Sequence, residues 1–155
     1  RFMLKVKVDY PQKDEERDII RRVIHGDTDR KVNQVIDPEK ILKARTLVKK
    51  VYMDEKIENY ILDIVFASRN PAAIGLENLE PLINFGGSPR ASIYLALAAK
   101  TLAFLNRRGY VIPDDVRDIC TDVMRHRIGL SYEAEAENVI QEDIIKEILN
   151  KVEVP

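Results

Sequence analysis

The residue types that could do chemistry concentrate in one short stretch, Gly86-Gly87-Ser88-Pro89-Arg90-Ala91-Ser92. Two successive glycines let a loop run close against another surface, because neither carries a Cβ. Ser88 has the side chain of a helix N-cap, and Pro89 fits the first helical position. Arg90 then stands at a helix N-terminus, where the macrodipole disfavours a cation by about a few tenths of a kcal/mol. A cation so placed calls for an anion. A phosphate suits both the helix N-terminus and the guanidinium fork, whereas a neighbouring surface carboxylate would suit the guanidinium alone. The spacing leaves both readings open.

Other chemistries are missing. No glycine-rich loop is followed by Lys-Ser or Lys-Thr, so the chain lacks a phosphate loop of its own. There is no G-x-S-x-G nucleophile and no paired-histidine motif, and the carboxylates are spread over helix surfaces. A self-sufficient active site is not expected, nor is a metal site. Cys120, the single cysteine, falls on the apolar side of a helix and reads as an inert core thiol. One cysteine rules out an internal disulfide framework and suits a reducing, cytoplasmic setting. His126, between Arg125 and Arg127, reads as a packed hydrogen-bonding residue. The two arginines could form a solvated patch, meet an acidic neighbour or touch an adjacent domain. Tyr52, Tyr60 and Tyr94 occupy helical positions and read as core or half-buried joints.

The elements that must hold these residues are mostly helices. The 155 residues, 45% hydrophobic and 33% charged, are enough for one domain with a sizeable core. The chain opens on Arg1 and is expected to be a piece of a longer protein. No apolar run approaches the ~20 residues of a membrane span, and no signal segment is visible. Twenty-five basic residues against 26 acidic ones argue against a nucleic-acid domain, which usually carries a basic excess.

Phe2, Leu4, Val6 and Val8 alternate with polar residues up to Tyr10-Pro11, the period of a half-buried strand. No partner strand follows nearby, so this one is expected to belong to a sheet lying mostly outside the chain. A helix is predicted from Gln12 to Gly26 with Ile19, Ile20, Val23 and Ile24 as its stripe; Val35-Ile36 could pair briefly. Asp37-Pro38-Glu39 starts a second helix, with Ile41, Leu42, Val48 and Val51 apolar. Asp54 caps a third, reaching about Ser68; the tight joint at Tyr52-Met53 predicts antiparallel neighbours. Residues 70–87 read as a long loop whose apolar residues pack against something. The helix opened by Ser88-Pro89 is apolar nearly all round and is expected to be central, with Leu95 and Leu102 in the core. Pro113-Asp114-Asp115 opens another, with Ile119 and Val123 inside. A small hairpin is expected near 110–130, and a last amphipathic helix runs from about Gln141 to Asn150.

Gly-Gly-Ser-Pro-Arg-Ala resembles the G-x-S-P-R-A motif of the MoxR family of AAA+ ATPases. Tyr110-Val111-Ile112-Pro113-Asp114-Asp115-Val116 is similar to that family's Y-V-x-P-x-D-V signature, and Arg125-His126-Arg127 to its R-H-R segment. Arg1-Phe2 followed by the alternating strand and Tyr10-Pro11 looks like the D-R-F strand that closes the ATPase core. The matches come in the family's order and span nearly the whole chain; Gly87 stands where Ala is common, and Ile112 where Thr is common.

The resemblance implies a mainly α helical-bundle lid, residues 11–155, with residues 1–10 as the final strand of an ATPase core. It implies that Arg90 is the sensor-2 arginine, with Gly86, Gly87, Ser88 and Pro89 beside the nucleotide. Arg1 becomes a candidate arginine finger for the neighbouring subunit. The full-length protein would then use ATP and Mg2+, which this part alone is not expected to bind or hydrolyse. It would assemble as a hexameric ring through the core and neighbouring subunits, and remodel or mature partners, von Willebrand factor A domain proteins among them. Neither nucleic acid nor membrane insertion is implied. The alternative is a stand-alone helical protein-interaction module with no nucleotide role. A nucleic-acid-binding helical domain of another AAA+ protein fits less well, given the near-neutral charge. Arg90 separates the first two: a lid away from its core leaves it free and exposed.

Overall fold

The computed structural model describes residues 2–26 and 32–155. Seven α-helices order the described chain: α1 (Lys13–Ile24), α2 (Pro38–Lys50), α3 (Glu55–Ala67), α4 (Pro89–Leu105), α5 (Pro113–Met124), α6 (Tyr132–Ala136) and α7 (Gln141–Lys151). Between α3 and α4 come two 3-10 turns, Pro71–Ile74 and Glu77–Leu82, and the strand β1 (Ile83–Phe85). β1 pairs antiparallel with β2 (Gly129–Leu130).

Local chemistry explains the helix starts. The Asp37 carboxylate accepts the Lys40 N–H at 2.8 Å with Pro38 at the first helical position. Asp54 does the same for Lys56 at 3.0 Å, and Ser131 for Ala134 at 3.3 Å. At α5 the cap works in reverse: the Asp115 carboxylate reaches back to accept the Ile112 N–H at 3.0 Å. Gly26, with φ +72°, ends α1 in the left-handed conformation its lack of a Cβ permits.

The core lies between α3, α4, α5 and α7. Leu95, Ala99 and Ala103 of α4 meet Val116, Cys120 and Val123 of α5, all with no exposed surface. Small residues on α4 let the α5 backbone approach closely, and this is the most extensive helix pairing in the fold. Ile61, Ile64 and Val65 of α3 and Ile144, Ile145 and Ile148 of α7 close the other sides. Arg117 ties α5 to α7 by donating to the Leu149 carbonyl at 2.7 Å.

The mainly helical bundle is as expected. Residues 2–10 form no ladder with the described residues, in keeping with a partner sheet outside the chain, and the alternating apolar residues stay exposed, Val6 at 65% and Val8 at 88%. Several other details differ. No hairpin forms within 110–130. Instead 129–130 pairs with residues 83–85 from the stretch expected to be loop, and Tyr110 makes a parallel bridge to Tyr52. That stretch does pack as expected: Leu79 and Leu82 are buried under its 3-10 turns. Val35-Ile36 forms no strand, and α2 leans chiefly on α4 rather than on α3. Helix α4 is buried on one side only: Leu95 is fully buried and Leu102 partly so, whereas Ile93 is 55% exposed. Ile119 is likewise only partly buried.

Candidate functional site

The Gly86-Gly87 turn is fastened to the C-terminal end of α3. The Ser68 hydroxyl donates to the Val65 carbonyl at 2.6 Å and accepts the Gly87 N–H at 2.9 Å. Arg69 Nε donates to the Gly87 carbonyl at 2.6 Å, its guanidinium 4.6 Å from the Phe66 ring centroid. A Cβ on Gly86 would lie 2.2 Å from the Ser68 carbonyl oxygen, so only glycine fits. At Gly87 a Cβ would meet the Ala91 Cβ and the Met124 methyl, each at 3.1 Å; the methionine can move aside, whereas the Ala91 Cβ moves only with the α4 backbone.

This turn delivers Ser88 and Pro89 to the start of α4. The Ser88 side chain caps no first-turn N–H. Its main-chain carbonyl accepts from Ala91 at 2.7 Å. Arg90 follows, exposed, and its side chain makes no hydrogen bond or ion pair with a described residue. A carboxylate partner, one of the two readings the spacing left open, does not occur among the described residues. Several arginines near α5 are engaged instead: Arg108 with Asp115, Arg117 with Leu149, Arg125 with Asp122 and Glu142. The structure therefore brings Gly86, Gly87, Ser88, Pro89 and Arg90 together at one edge of the bundle. Arg1 lies outside the described residues.

The other two motifs are held differently. Asp115 is a buried carboxylate, 1% exposed. Arg108 grips it with both terminal nitrogens, one bond at 2.7 Å, and the pairing pushes the Arg108 pKa up. Asp115 thus fastens the turn between α4 and α5. Arg125, His126 and Arg127 follow α5. Arg125 bridges Asp122 and Glu142, each at 2.9 Å, the acidic neighbour anticipated as one option. His126 Nε2 lies 3.1 Å from the Phe2 carbonyl, and its buried Nδ1 has no partner among the described residues. Burial holds the His126 pKa below its usual range. Arg127 reaches the Phe2 and Met3 carbonyls at 2.5 and 3.1 Å and lies 5.0 Å from the Tyr94 ring centroid. Its pKa is lowered by burial.

Cys120 is fully buried and its thiol is pushed up to about 12 by loss of solvent, which leaves it inert. No cluster of His, Cys, Asp and Glu that could hold a metal occurs among the described residues. None of their helices is long and apolar enough to cross a membrane. The site offers a guanidinium and a helix N-terminus to an anion. Sequence reading missed Ser68 and Arg69, since nothing in their types marks them as partners of residues 18 or 19 positions away. It placed Asp115 as a helix starter and as part of the Y-V-x-P-x-D-V signature, and missed its cap on Ile112, although that spacing is visible in sequence.

Residues 77–148 match the family model described as an AAA lid domain. The whole chain is 36% identical to the chaperone MoxR1 of Mycobacterium tuberculosis, covering 41% of it. Over 152 residues, 90% of the chain, it is 34% identical to the protein MoxR of Paracoccus denitrificans, covering 45% of it. A crystal structure of a protein assigned as an ATPase from Cytophaga hutchinsonii matches all of the chain at 40% identity and a TM-score of 0.92, over 47% of its own length. The chain spans less than half the length of these relatives.

Proposed function

Since this chain belongs to the MoxR-type AAA+ proteins and carries their lid, we propose that it supplies the sensor-2 arginine, Arg90, to ATP bound by an ATPase core elsewhere in the same protein. The observation that carries this reading is the contrast at Arg90. It is exposed and unpaired among the described residues, while the turn leading to it is fixed by Ser68, Arg69 and a glycine that admits no side chain. A rigid mount under a free cation is what an incoming phosphate requires, because a positioned guanidinium needs no reorganisation as charge develops.

In this reading ATP and Mg2+ sit between core and lid. Gly86 to Pro89 border the nucleotide, and Arg90 stabilises charge on the transferring phosphoryl group. Arg1 serves the neighbouring subunit of a cytoplasmic hexameric ring as its arginine finger. Hydrolysis rotates the lid against the core, and that motion remodels or matures partner proteins, von Willebrand factor A domain proteins among them. The 155 residues contain no phosphate loop, and a pure preparation is expected to show no ATP turnover.

The test is Arg90→Ala. In the full-length protein it is expected to cut ATP hydrolysis about a hundredfold or more, the loss of roughly 3–4 kcal/mol of transition-state stabilisation. Arg90→Lys rescues poorly, because an ammonium lacks the planar fork. Normal turnover and nucleotide affinity in Arg90→Ala would end the sensor reading. A second reading, an interaction module without nucleotide, is favoured by an apolar groove of about 510 Å³ between α2, α3 and α4, lined by Val48, Leu62, Ile93 and Leu97. A silent Arg90 would leave that reading standing.

A further inference from the structure

Three consecutive side chains after α5 converge on one short stretch of main chain at the other end of the sequence. Arg125 Nη1 donates to the Lys5 carbonyl at 2.5 Å, His126 Nε2 faces the Phe2 carbonyl, and Arg127 donates to the carbonyls of Phe2 and Met3. The Lys5 N–H returns a bond to the Asp122 carbonyl at 2.9 Å, in the last turn of α5. No side chain of residues 2–5 takes part in these bonds, so what is gripped is the path of the backbone. Cations suit this end of a helix, where unpaired carbonyls carry the negative end of the dipole.

Arg127 is the unusual member. It forms no ion pair with a carboxylate among the described residues. Its fork is spent on the carbonyls of Phe2, Met3 and Val123 and on the face of Tyr94. Tyr94 lies four residues after Arg90, one turn further along α4 on the same helix face. One guanidinium therefore touches the helix that carries Arg90, the end of α5 and the segment that follows Arg1 in sequence.

We propose that Arg125, His126 and Arg127 form a latch that makes the segment beginning at Phe2 move as one body with α4 and α5. They are positioning residues: a lid displacement sensed at Arg90 is carried through Tyr94 and Arg127 to the start of that segment. The consequence for hydrolysis rests on the function proposed above. The latch itself rests on the hydrogen bonds alone. A contiguous set of contacts is not yet coupling, so the test has to measure both.

The experiment uses the full-length protein and two readings. Amide hydrogen exchange at Lys5 reports the latch, with Ile64 in the middle of α3 as the internal control. Arg127→Ala is expected to raise Lys5 exchange about tenfold or more and leave Ile64 unchanged. Steady-state hydrolysis reports positioning: kcat is expected to fall about tenfold, with the KM for ATP within about twofold. Arg127→Lys, which keeps the charge but not the fork, is expected to fall between wild type and Arg127→Ala in both. If Arg127→Ala does not fold by circular dichroism, His126→Ala carries the same two readings. Unchanged Lys5 exchange overturns the latch. Raised exchange with unchanged kcat overturns the positioning role. Failure of the sensor reading shows elsewhere, as normal turnover in Arg90→Ala, and does not alter Lys5 exchange.

Discussion

A side chain's behaviour here follows from what surrounds it more than from its type. Cys120 is fully buried and His126 partly so, and the pH sign differs between them. Burial favours the neutral thiol, so the folded pKa of about 12 lies above the unfolded value of about 8.5. The stability associated with the buried thiol is complete below about pH 8.5 and is lost between there and about 12, as the unfolded chain ionises first. Wild type is expected to lose stability faster than Cys120→Ala over that window in denaturant titrations. Parallel curves would show the thiol to be solvated. Burial also favours neutral imidazole, and here the folded pKa falls below the unfolded value of about 6.5. That stability is present above about pH 6.5 and lost as the pH drops through the folded value. The groups facing His126 sharpen the effect, since Arg127 and Lys5 repel a second proton and only the Phe2 carbonyl welcomes one. Melting temperatures of wild type are expected to fall more steeply than those of His126→Gln below pH 6.5, and equal slopes would argue against it.

Among the elements, α4 shows how far a pattern can be trusted. Its run of Ile, Leu, Ala and Phe reads as apolar all round, yet only the Ala91, Leu95, Ala98, Ala99 and Ala103 side is buried. Leu95→Ala is therefore expected to cost about 2–5 kcal/mol, and Leu102→Ala distinctly less, because Leu102 keeps partial access to water. Equal costs, measured by urea unfolding, would contradict the one-sided burial. Starts of helices were legible because their chemistry is local: Asp37 and Asp54 cap within three residues of themselves, and Pro38 and Pro113 stand at first helical positions. The pairing of β1 with β2 was not legible, because each strand is three residues or fewer and its partner lies over 40 positions away. The same division runs through the candidate site. Gly86 to Arg90 could be read from types and spacing, whereas Ser68 and Arg69, which fix the turn, are brought there only by the packing of α3 against α4. Gly86→Ala tests that fixing. Its Cβ would strike the Ser68 carbonyl, a backbone atom that cannot step aside. Loss of stability together with loss of ATP hydrolysis in the full-length protein is expected, and a neutral result would mean the turn is not pressed against α3.

At the scale of the molecule the chain divides by burial. No described residue before Val51 is buried, and the whole hydrophobic core is drawn from Val51 to Val152. The first part nonetheless carries apolar stripes that fold nowhere onto this core: Ile19, Ile20, Val23 and Ile24 on α1, and Ile41, Leu42 and Leu47 on α2, each 47% exposed or more. An amphipathic helix in water gains little by forming unless its stripe is covered. These faces are accounted for if the rest of a longer protein covers them, as the lengths of the relatives suggest. The division makes a prediction about autonomy. A chain of residues 51–155 is expected to melt cooperatively, with a midpoint only a few degrees, about 2–6 °C, below that of the 155-residue chain. What it loses is the lean of α2 on α4, the Tyr52 bridge being retained, and the hydrogen bonds at residues 2–5. Calorimetry of the two chains side by side decides it. If 51–155 is unfolded, the first fifty residues contribute to the core in a way their exposure does not reveal. If it folds and the midpoint holds, the lid is an independent body, and α1, α2 and the latched segment are what join it to the remainder of the protein.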